Sequence, residues 1–280
     1  MANKITVALA GLGSRGKDTY AKAAKIHPDK IEIVAIADVN PKKVEMVAEE
    51  YHVPKERCYT SAEEMLKEEK LADVMFITTQ DRQHVAQAIP ALRKGYHLLL
   101  EKPISPDLDE CREIVEVAKE CDRKVVVCHV LRYTPVFRKV KEILDSGVIG
   151  DIVSINASEN VGWFHMAHSF VRGNWRNKEL SSPMILQKCC HDMDILLWLS
   201  GSHCKSLSSF GSTYLFKEEN APEGCTKRCL DGCKVKATCP YDAESIYLDS
   251  ERIGARNGNT RWPLDVVTEI PTPESVEEAL

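Results

Sequence analysis

An apolar run, Ile5-Thr6-Val7-Ala8-Leu9-Ala10, leads straight into Gly11-Leu12-Gly13-Ser14-Arg15-Gly16, and a second run, Ile31–Ala37, ends at Asp38. Glycines at this spacing, set between a strand and a helix and followed about 20 residues on by a strand-end acid, suit a dinucleotide. Gly11 permits the tight turn, Gly13 lets the backbone approach a pyrophosphate, and Gly16 lets the next helix pack against the sheet. The N-terminus of that helix presents free N–H groups and the positive end of its dipole to the phosphates, and Ser14 and Arg15 of the loop are expected cofactor contacts. Asp38 can accept hydrogen bonds from both hydroxyls of an adenosine ribose, whereas a 2′-phosphate there would meet like charge. The expected cofactor is therefore NAD rather than NADP; the plain alternative is a glycine-rich turn beside a solvated acid.

Glu101-Lys102-Pro103 stands at the end of another apolar run, His97–Leu100, where open α/β sheets bind their ligands. Desolvation and a nearby nicotinamide ring would both lower the pKa of Lys102 and suit it to exchanging a proton with a substrate hydroxyl. On spacing alone the triplet reads equally as a surface ion pair before a proline-started helix. The Lys102–Pro103 bond is a candidate cis peptide. His191 precedes an apolar helical stretch and is either a satisfied core histidine or part of a site, while Asp194 reads as a helix charge or structural partner. Residues Gly162–Pro183 have the composition of a binding loop. There His165, His168, Arg172, Asn174, Trp175 and Arg176 offer donors and a flat apolar face, the pairing that sugar rings prefer.

Cys225-x3-Cys229-x3-Cys233-x5-Cys239 gathers four thiols in a polar, irregular segment. Four thiolates match a closed zinc site or an iron–sulfur cluster, and disulfides, redox thiols or unligated cysteines are the other readings. Cys189 and Cys190 read as packing beside His191.

The elements that must position these groups follow from periodicity. Strands near 4–10, 31–37, 73–78, 97–100 and 124–129 alternate with helical patterns over Lys17–Ile26, Pro41–Glu50, Ala62–Glu69, Arg82–Lys94 and Leu108–Glu120. Continuously apolar strands between helices are the mark of βαβ units and a doubly wound parallel sheet. Beyond His129 the pattern predicts a helix over Pro135–Ser146 closed by Gly147, a strand over Ile152–Ser158, a helix over Asp192–Leu199 and a strand over Ser206–Phe216. With 280 residues, 44% of them hydrophobic, two cores are expected. The expected division is 1–130 for the dinucleotide and 131–280 for substrate and oligomerisation.

A formal charge of −5 without a basic stripe argues against nucleic acid as a partner. The N-terminus has no signal pattern, and no apolar run approaches the roughly 20 residues of a membrane span, so a cytoplasmic protein is expected. In that compartment thiols stay reduced, and eleven cysteines call for something other than a disulfide framework.

Taken in order, the glycine fingerprint, Asp38, Thr78-Thr79-Gln80-Asp81-Arg82-Gln83-His84, Glu101-Lys102-Pro103, Gly147-Val148-Ile149-Gly150-Asp151 and His191-Asp192-Met193-Asp194 resemble the Gfo/Idh/MocA family of glucose-fructose oxidoreductases and inositol dehydrogenases, over residues 4 to about 216. The resemblance implies an N-terminal Rossmann domain and a C-terminal α/β domain built on an open, mainly antiparallel sheet. That sheet would floor the substrate site and often makes an oligomer interface, so a homo-oligomer is implied. Lys102 would then act on the substrate hydroxyl with His191 as its partner, and Thr78, Asp81 and His84 would line the nicotinamide side with Glu101 and Lys102 beside them. Many members carry an aspartate where this chain has Gln187. An amide cannot relay a proton, so Gln187 is left as a substrate contact, while Lys188 resembles a subset with Lys-x-x-His-Asp. Members usually run longer, which makes this chain a truncated or shortened relative.

The function these features imply is hydride transfer between NAD and a sugar, polyol or related hydroxylated small molecule. Two other readings stand beside it: a glycoside-cleaving enzyme that oxidises its substrate transiently, and a non-catalytic dinucleotide sensor.

Overall fold

The computed structural model describes residues 4–280. Six parallel strands, β1 (Ile5–Ala10), β2 (Ile31–Ala37), β3 (Cys58–Tyr59), β4 (Val74–Ile77), β5 (His97–Leu100) and β6 (Val125–Val127), lie in the order β3-β2-β1-β4-β5-β6. The short edge strand β3 is an addition to the sequence expectation. Between them run α1 (Lys22–Ile26), α2 (Pro41–Tyr51), α3 (Ala62–Met65), α4 (His84–Arg93) and α5 (Leu108–Glu120). The turn after β1 winds into a π-helical stretch, Ser14–Tyr20, three residues earlier than the periodicity indicates.

The strands are apolar on both faces because both faces are covered. Ala8, Ala10, Met75, Ile77, Leu98 and Leu100 pack beneath Val85, Ala88 and Leu92 of α4 and Ile114 and Val117 of α5. Their neighbours Val7, Leu9, Ile33, Ile36 and Phe76 point the other way, onto Leu12, Ala21 and Val47. Burying each such aliphatic side chain stabilises the unit by about 1.5–3 kcal/mol relative to exposure. Helix starts are fixed locally. Asn40 accepts from Lys42 and Lys43 with Pro41 in the first turn, and Asp107 accepts from Asp109 and Glu110 at the head of α5.

Register decides where the chemistry emerges. Ala10 pairs with Ala37 and with Ile77, Ile77 with Leu100, and Leu100 with Val127. The last residues of five strands therefore stand in one row, and the segments beginning at Gly11, Asp38, Thr78, Glu101 and Cys128 leave the sheet along the same edge.

Further helices follow, among them α6 (Pro135–Asp145), α7 (Trp163–Met166) continuing into a π-helical turn Ala167–Arg172, α8 (Met184–Gln187), α9 (Cys190–Ser200), α10 (Leu264–Val267) and α11 (Pro273–Ala279). The chain separates into two compact units. One comprises the described residues up to Val153 together with Lys178–Leu199, so it extends beyond residue 130; the other comprises Ser154–Asn177 and Ser200–Leu280. The second unit's core is Ala243, Ile246, Tyr247, Leu248, Ala255, Leu264 and Val276.

The strands expected over 152–158 and 206–216 do not form: among the described residues every ladder belongs to the single parallel sheet. Both runs lack regular structure, and Val153 and Phe210 are each 97% exposed. A strand is stabilised by its neighbours' hydrogen bonds and by a covered face, and neither run has them. The C-terminal sheet expected as substrate floor and oligomer interface is thus not assembled in the described residues.

Candidate active site

The glycine loop is shaped by what surrounds each glycine. Gly11 has φ +89°, and a Cβ there would lie 2.7 Å from the carbonyl carbon and oxygen of Thr78. A Cβ on Gly16 would fall 1.9 Å from the Gly11 oxygen, so the helix can approach β1 only without a side chain. Gly13 differs: nothing lies within 4 Å of its Cβ position. The amides of the Ser14–Tyr20 first turn, lacking acceptors within the helix, face an open approach there. Asp38 accepts from the Leu12 amide at 2.6 Å and the Asn40 amide at 2.9 Å, one to each oxygen. A carboxylate has about four lone-pair positions, which leaves capacity for a ribose diol. The residues present therefore fit a dinucleotide: an open backbone face for the pyrophosphate and an anchored acid for the ribose.

Thr78 serves the loop itself. Its hydroxyl lies 2.9 Å from the Ala10 oxygen and 2.7 Å from the Gly11 oxygen, tying β4 to the turn after β1. His84 is buried with Nδ1 2.8 Å from the Pro103 oxygen and Nε2 3.2 Å from the Thr79 oxygen, so it braces the turn that carries Lys102. Buried Asp81 accepts from the Ser182 hydroxyl.

The Lys102–Pro103 peptide is cis. Glu101 is only 7% exposed. Its carboxylate accepts from the Tyr20 hydroxyl at 2.5 Å and from the Lys102 amide at 2.9 Å, and the Arg15 Nε lies 4.0 Å away. Burial and the adjacent negative charge hold the Tyr20 phenol far above its ordinary value, so it remains a donor. Lys102 Nζ donates to the main-chain oxygen of Gln187 at 2.9 Å. Burial lowers the Lys102 pKa, opposed by Cys190 and by the carboxylates of Glu101 and Asp81. The Cys128 and Cys190 thiols are pushed up by burial to about 12 and about 11.

His191 opens α9 and stands edge-on to His129, ring centroids 5.8 Å apart at 90°. Burial first, then the Lys102 charge, His129, Lys188 and Arg15, push His191 down to about 4. Burial also lowers His129. Both rings are thus neutral bases at pH 7, and the Nδ1 atoms of both are buried without a hydrogen-bond partner. Asp194 is a structural partner: it grips Arg132 through Nε at 2.7 Å and Nη2 at 2.6 Å, and the guanidinium lies over Trp198. Gln187 is buried and meets Lys102 with its main chain, while Lys188 follows in the link to α9.

All of these groups lie within the first unit. Tyr20, His129, Arg132 and Ser182 join them without having been singled out from sequence. His129 had a legible signal, since it stands just past β6 as Lys102 stands just past β5. Tyr20 had none, because its partner is 81 residues away.

His165, Arg172 and Trp175 belong to the second unit. There His165 stacks on Phe170 at 6.3 Å and Trp175 tilts against the same ring at 6.3 Å. Arg172 donates to the Tyr241 carbonyl and lies over Tyr247. His168 stacks on Phe164 and meets the Tyr247 hydroxyl at 2.9 Å. The expected cysteine metal centre is not assembled: Cys225, Cys229, Cys233 and Cys239 are all free, and among the described residues no group of three or more His, Cys, Asp or Glu could hold a metal ion. Cys229 instead packs against the second unit's core, its sulfur 3.4 Å from the Ala243 amide.

A six-stranded parallel sheet in this order, with a glycine turn after β1 and an acid after β2, is the arrangement of a dinucleotide-binding Rossmann domain. Family models sharpen this. The oxidoreductase family with the NAD-binding Rossmann fold matches residues 5–129, and the GFO/IDH/MocA C-terminal domain matches 137–229, so the chain belongs to the Gfo/Idh/MocA family. The chain is 24% identical over 223 residues to inositol 2-dehydrogenase of Corynebacterium glutamicum (strain R), covering 74% of this chain and 57% of that protein. It is similar in structure to scyllo-inositol dehydrogenase from Lactobacillus casei with bound NAD(H) and scyllo-inositol, at TM-score 0.60 and 25% identity over 71% of this chain and 57% of that one. The WlbA dehydrogenase from Bordetella pertussis, in complex with NADH and UDP-GlcNAcA, gives TM-score 0.59 and 25% identity over 71% and 56%. The chain spans about half the length of these relatives. Among the described residues no helix is long and apolar enough to cross a membrane.

Proposed function

We propose that the protein is an NAD-dependent oxidoreductase that moves a hydride between the nicotinamide and a carbinol carbon of a sugar, polyol or related hydroxylated small molecule. The observation that carries this reading is Lys102: a half-buried amine with a lowered pKa, set past the carboxyl end of β5 and hydrogen-bonded through Nζ to a neutral carbonyl. The inositol dehydrogenases and the WlbA dehydrogenase in complex with UDP-GlcNAcA, to which the chain is similar, support the substrate class.

Residues 1–130 would hold the dinucleotide, through Gly11, Gly13, Ser14, Arg15 and Gly16 at the pyrophosphate, Asp38 at the ribose, and the Asp81, His84 and Glu101 neighbourhood at the nicotinamide end. Bound NAD would supply the hydride acceptor. Lys102 in its free-amine form would take the hydroxyl proton, and its carbonyl partner on Gln187 would hold Nζ in place without neutralising it. His191, neutral at working pH, would orient the same hydroxyl. Residues 131–280 would carry the substrate, with His165, Arg172 and Trp175 as its contacts there.

Incubation with NAD and a panel of polyols, sugars and sugar acids tests the reading. Formation of reduced nicotinamide, lost in Lys102→Met while NAD still binds, is the expected result. NAD binding with no turnover of any panel member would overturn it.

A further inference from the structure

A proton placed on Lys102 has to leave before the next turnover, and the contact that positions Nζ offers no exit. Gln187 meets it with a main-chain oxygen, which accepts hydrogen bonds and not protons. The nearby carboxylates are engaged: Glu101 holds the Tyr20 hydroxyl and the Lys102 amide, and Asp81 holds Ser182. Hydrogen bonds donated to a carboxylate favour its charged form and weaken it as a base. The imidazoles of His191 and His129 both lie within electrostatic reach of Lys102, set edge to face with ring centroids 5.8 Å apart. Among the described residues, Nδ1 of each ring is buried and makes no hydrogen bond. A buried nitrogen left without a partner is destabilising. Two of them side by side on different elements, the segment after β6 and the head of α9, are hard to reconcile with a purely structural role.

We propose that His129 is a second proton acceptor of the site, acting through His191: the two imidazoles share the single proton that Lys102 discharges and release it to water. This rests on the reading of the protein as an alcohol-oxidising enzyme. In the forward direction the substrate O–H bond breaks and its proton goes to the Lys102 amine. The C–H electron pair leaves with its hydrogen as hydride to NAD. The ammonium proton then passes to the His191–His129 pair and on to solvent, which restores the amine. His129 faces Asp194, Arg132, Lys102 and Glu101, and His191 faces Lys102, His129, Lys188 and Arg15. The field around the pair is therefore mostly cationic. It admits one proton at a time, and release is favoured once that proton arrives.

The test is His129→Gln, followed first without cofactor or substrate. In the wild-type protein the His191 ring signals in NMR should titrate in two coupled steps. In His129→Gln they should titrate in one, at higher pH, because a repelling neighbour is gone. With substrate, kcat should fall by about tenfold or more with KM little changed, and the acid limb of the kcat profile should move. His129→Asn repeats both readouts should the glutamine variant fold poorly. An unaltered His191 titration together with wild-type kcat and pH profile overturns the proposal and leaves the oxidoreductase reading standing. Absence of turnover in the wild-type protein with every panel member overturns that reading instead, and the NMR titration still decides whether the rings act as a pair.

Discussion

Nζ of Lys102 lies 2.9 Å from the main-chain oxygen of Gln187, so the turn after β5 and the last residue of α8 meet through a lysine and a peptide carbonyl. The side-chain identity at 187 does not enter that contact. Gln187→Ala should therefore leave kcat within about threefold of wild type, while the buried side chain's removal lowers stability by about 1–2 kcal/mol. Steady-state kinetics beside a urea melt checks both; a loss of kcat of a hundredfold would mean that the amide itself touches the substrate.

Two glycines of one loop should fail differently. Gly13→Ala meets open space, so the thermal midpoint should hardly move while NAD affinity drops at least tenfold, because the methyl occupies the pyrophosphate's approach. Gly16→Ala drives a Cβ to 1.9 Å from the Gly11 oxygen and should lower both the midpoint and the affinity. Calorimetry and NAD titration on the pair separate a binding role from a packing role.

Asp38 holds the Leu12 and Asn40 amides, and in the proposed reading its remaining lone pairs would take the ribose hydroxyls. Asp38→Ser should weaken NAD binding by roughly tenfold, about 1.4 kcal/mol, and narrow the preference over NADP by removing the charge that repels a 2′-phosphate. Equal affinities of the native protein for NAD and NADP would contradict this placement.

His168 and His191 both titrate at about 4 in the folded chain, against 6.5 for the unperturbed ring, and burial is the leading cause for each. The unfolded chain then binds more protons between about pH 4 and 6.5, so stability rises with pH across that window and is lost as pH falls through it. Each ring should contribute on the order of 1–2 kcal/mol once screening by solvent is allowed for. Urea midpoints at about pH 5 and pH 7.5 should differ in the wild-type protein, and His168→Gln should shrink the difference. A pH-independent midpoint would show that these rings are more open to water.

Local rules were enough to read the sheet. The strands announce themselves because β1, β2, β4 and β5 are apolar on both faces, and Gly11, Asp38 and Lys102 were legible because strand ends in such sheets are where ligands bind. The two-residue β3 was too short to leave a pattern. The runs at 152–158 and 206–216 show the opposite failure: alternation is a statement about a strand's two faces, and it forms no ladder where no neighbour is supplied. Thiol spacing misled for a related reason. It counts sulfurs along the chain, whereas Cys229 is directed by its apolar packing against Ile246 and Tyr247's core. The contacts that finish the site, Tyr20 with Glu101 and His129 with His191, span 81 and 62 residues and follow from register and packing that no local pattern encodes.

The most direct test of the account follows reduced nicotinamide by its near-ultraviolet absorbance. Wild-type protein and Lys102→Met are compared with NAD and the polyol and sugar panel, with NAD affinity measured on both. The account predicts turnover of a hydroxylated compound by the wild type, a loss of about 100-fold or more in Lys102→Met, and NAD affinity unchanged within about threefold. Turnover that survives in Lys102→Met at the wild-type rate would contradict it.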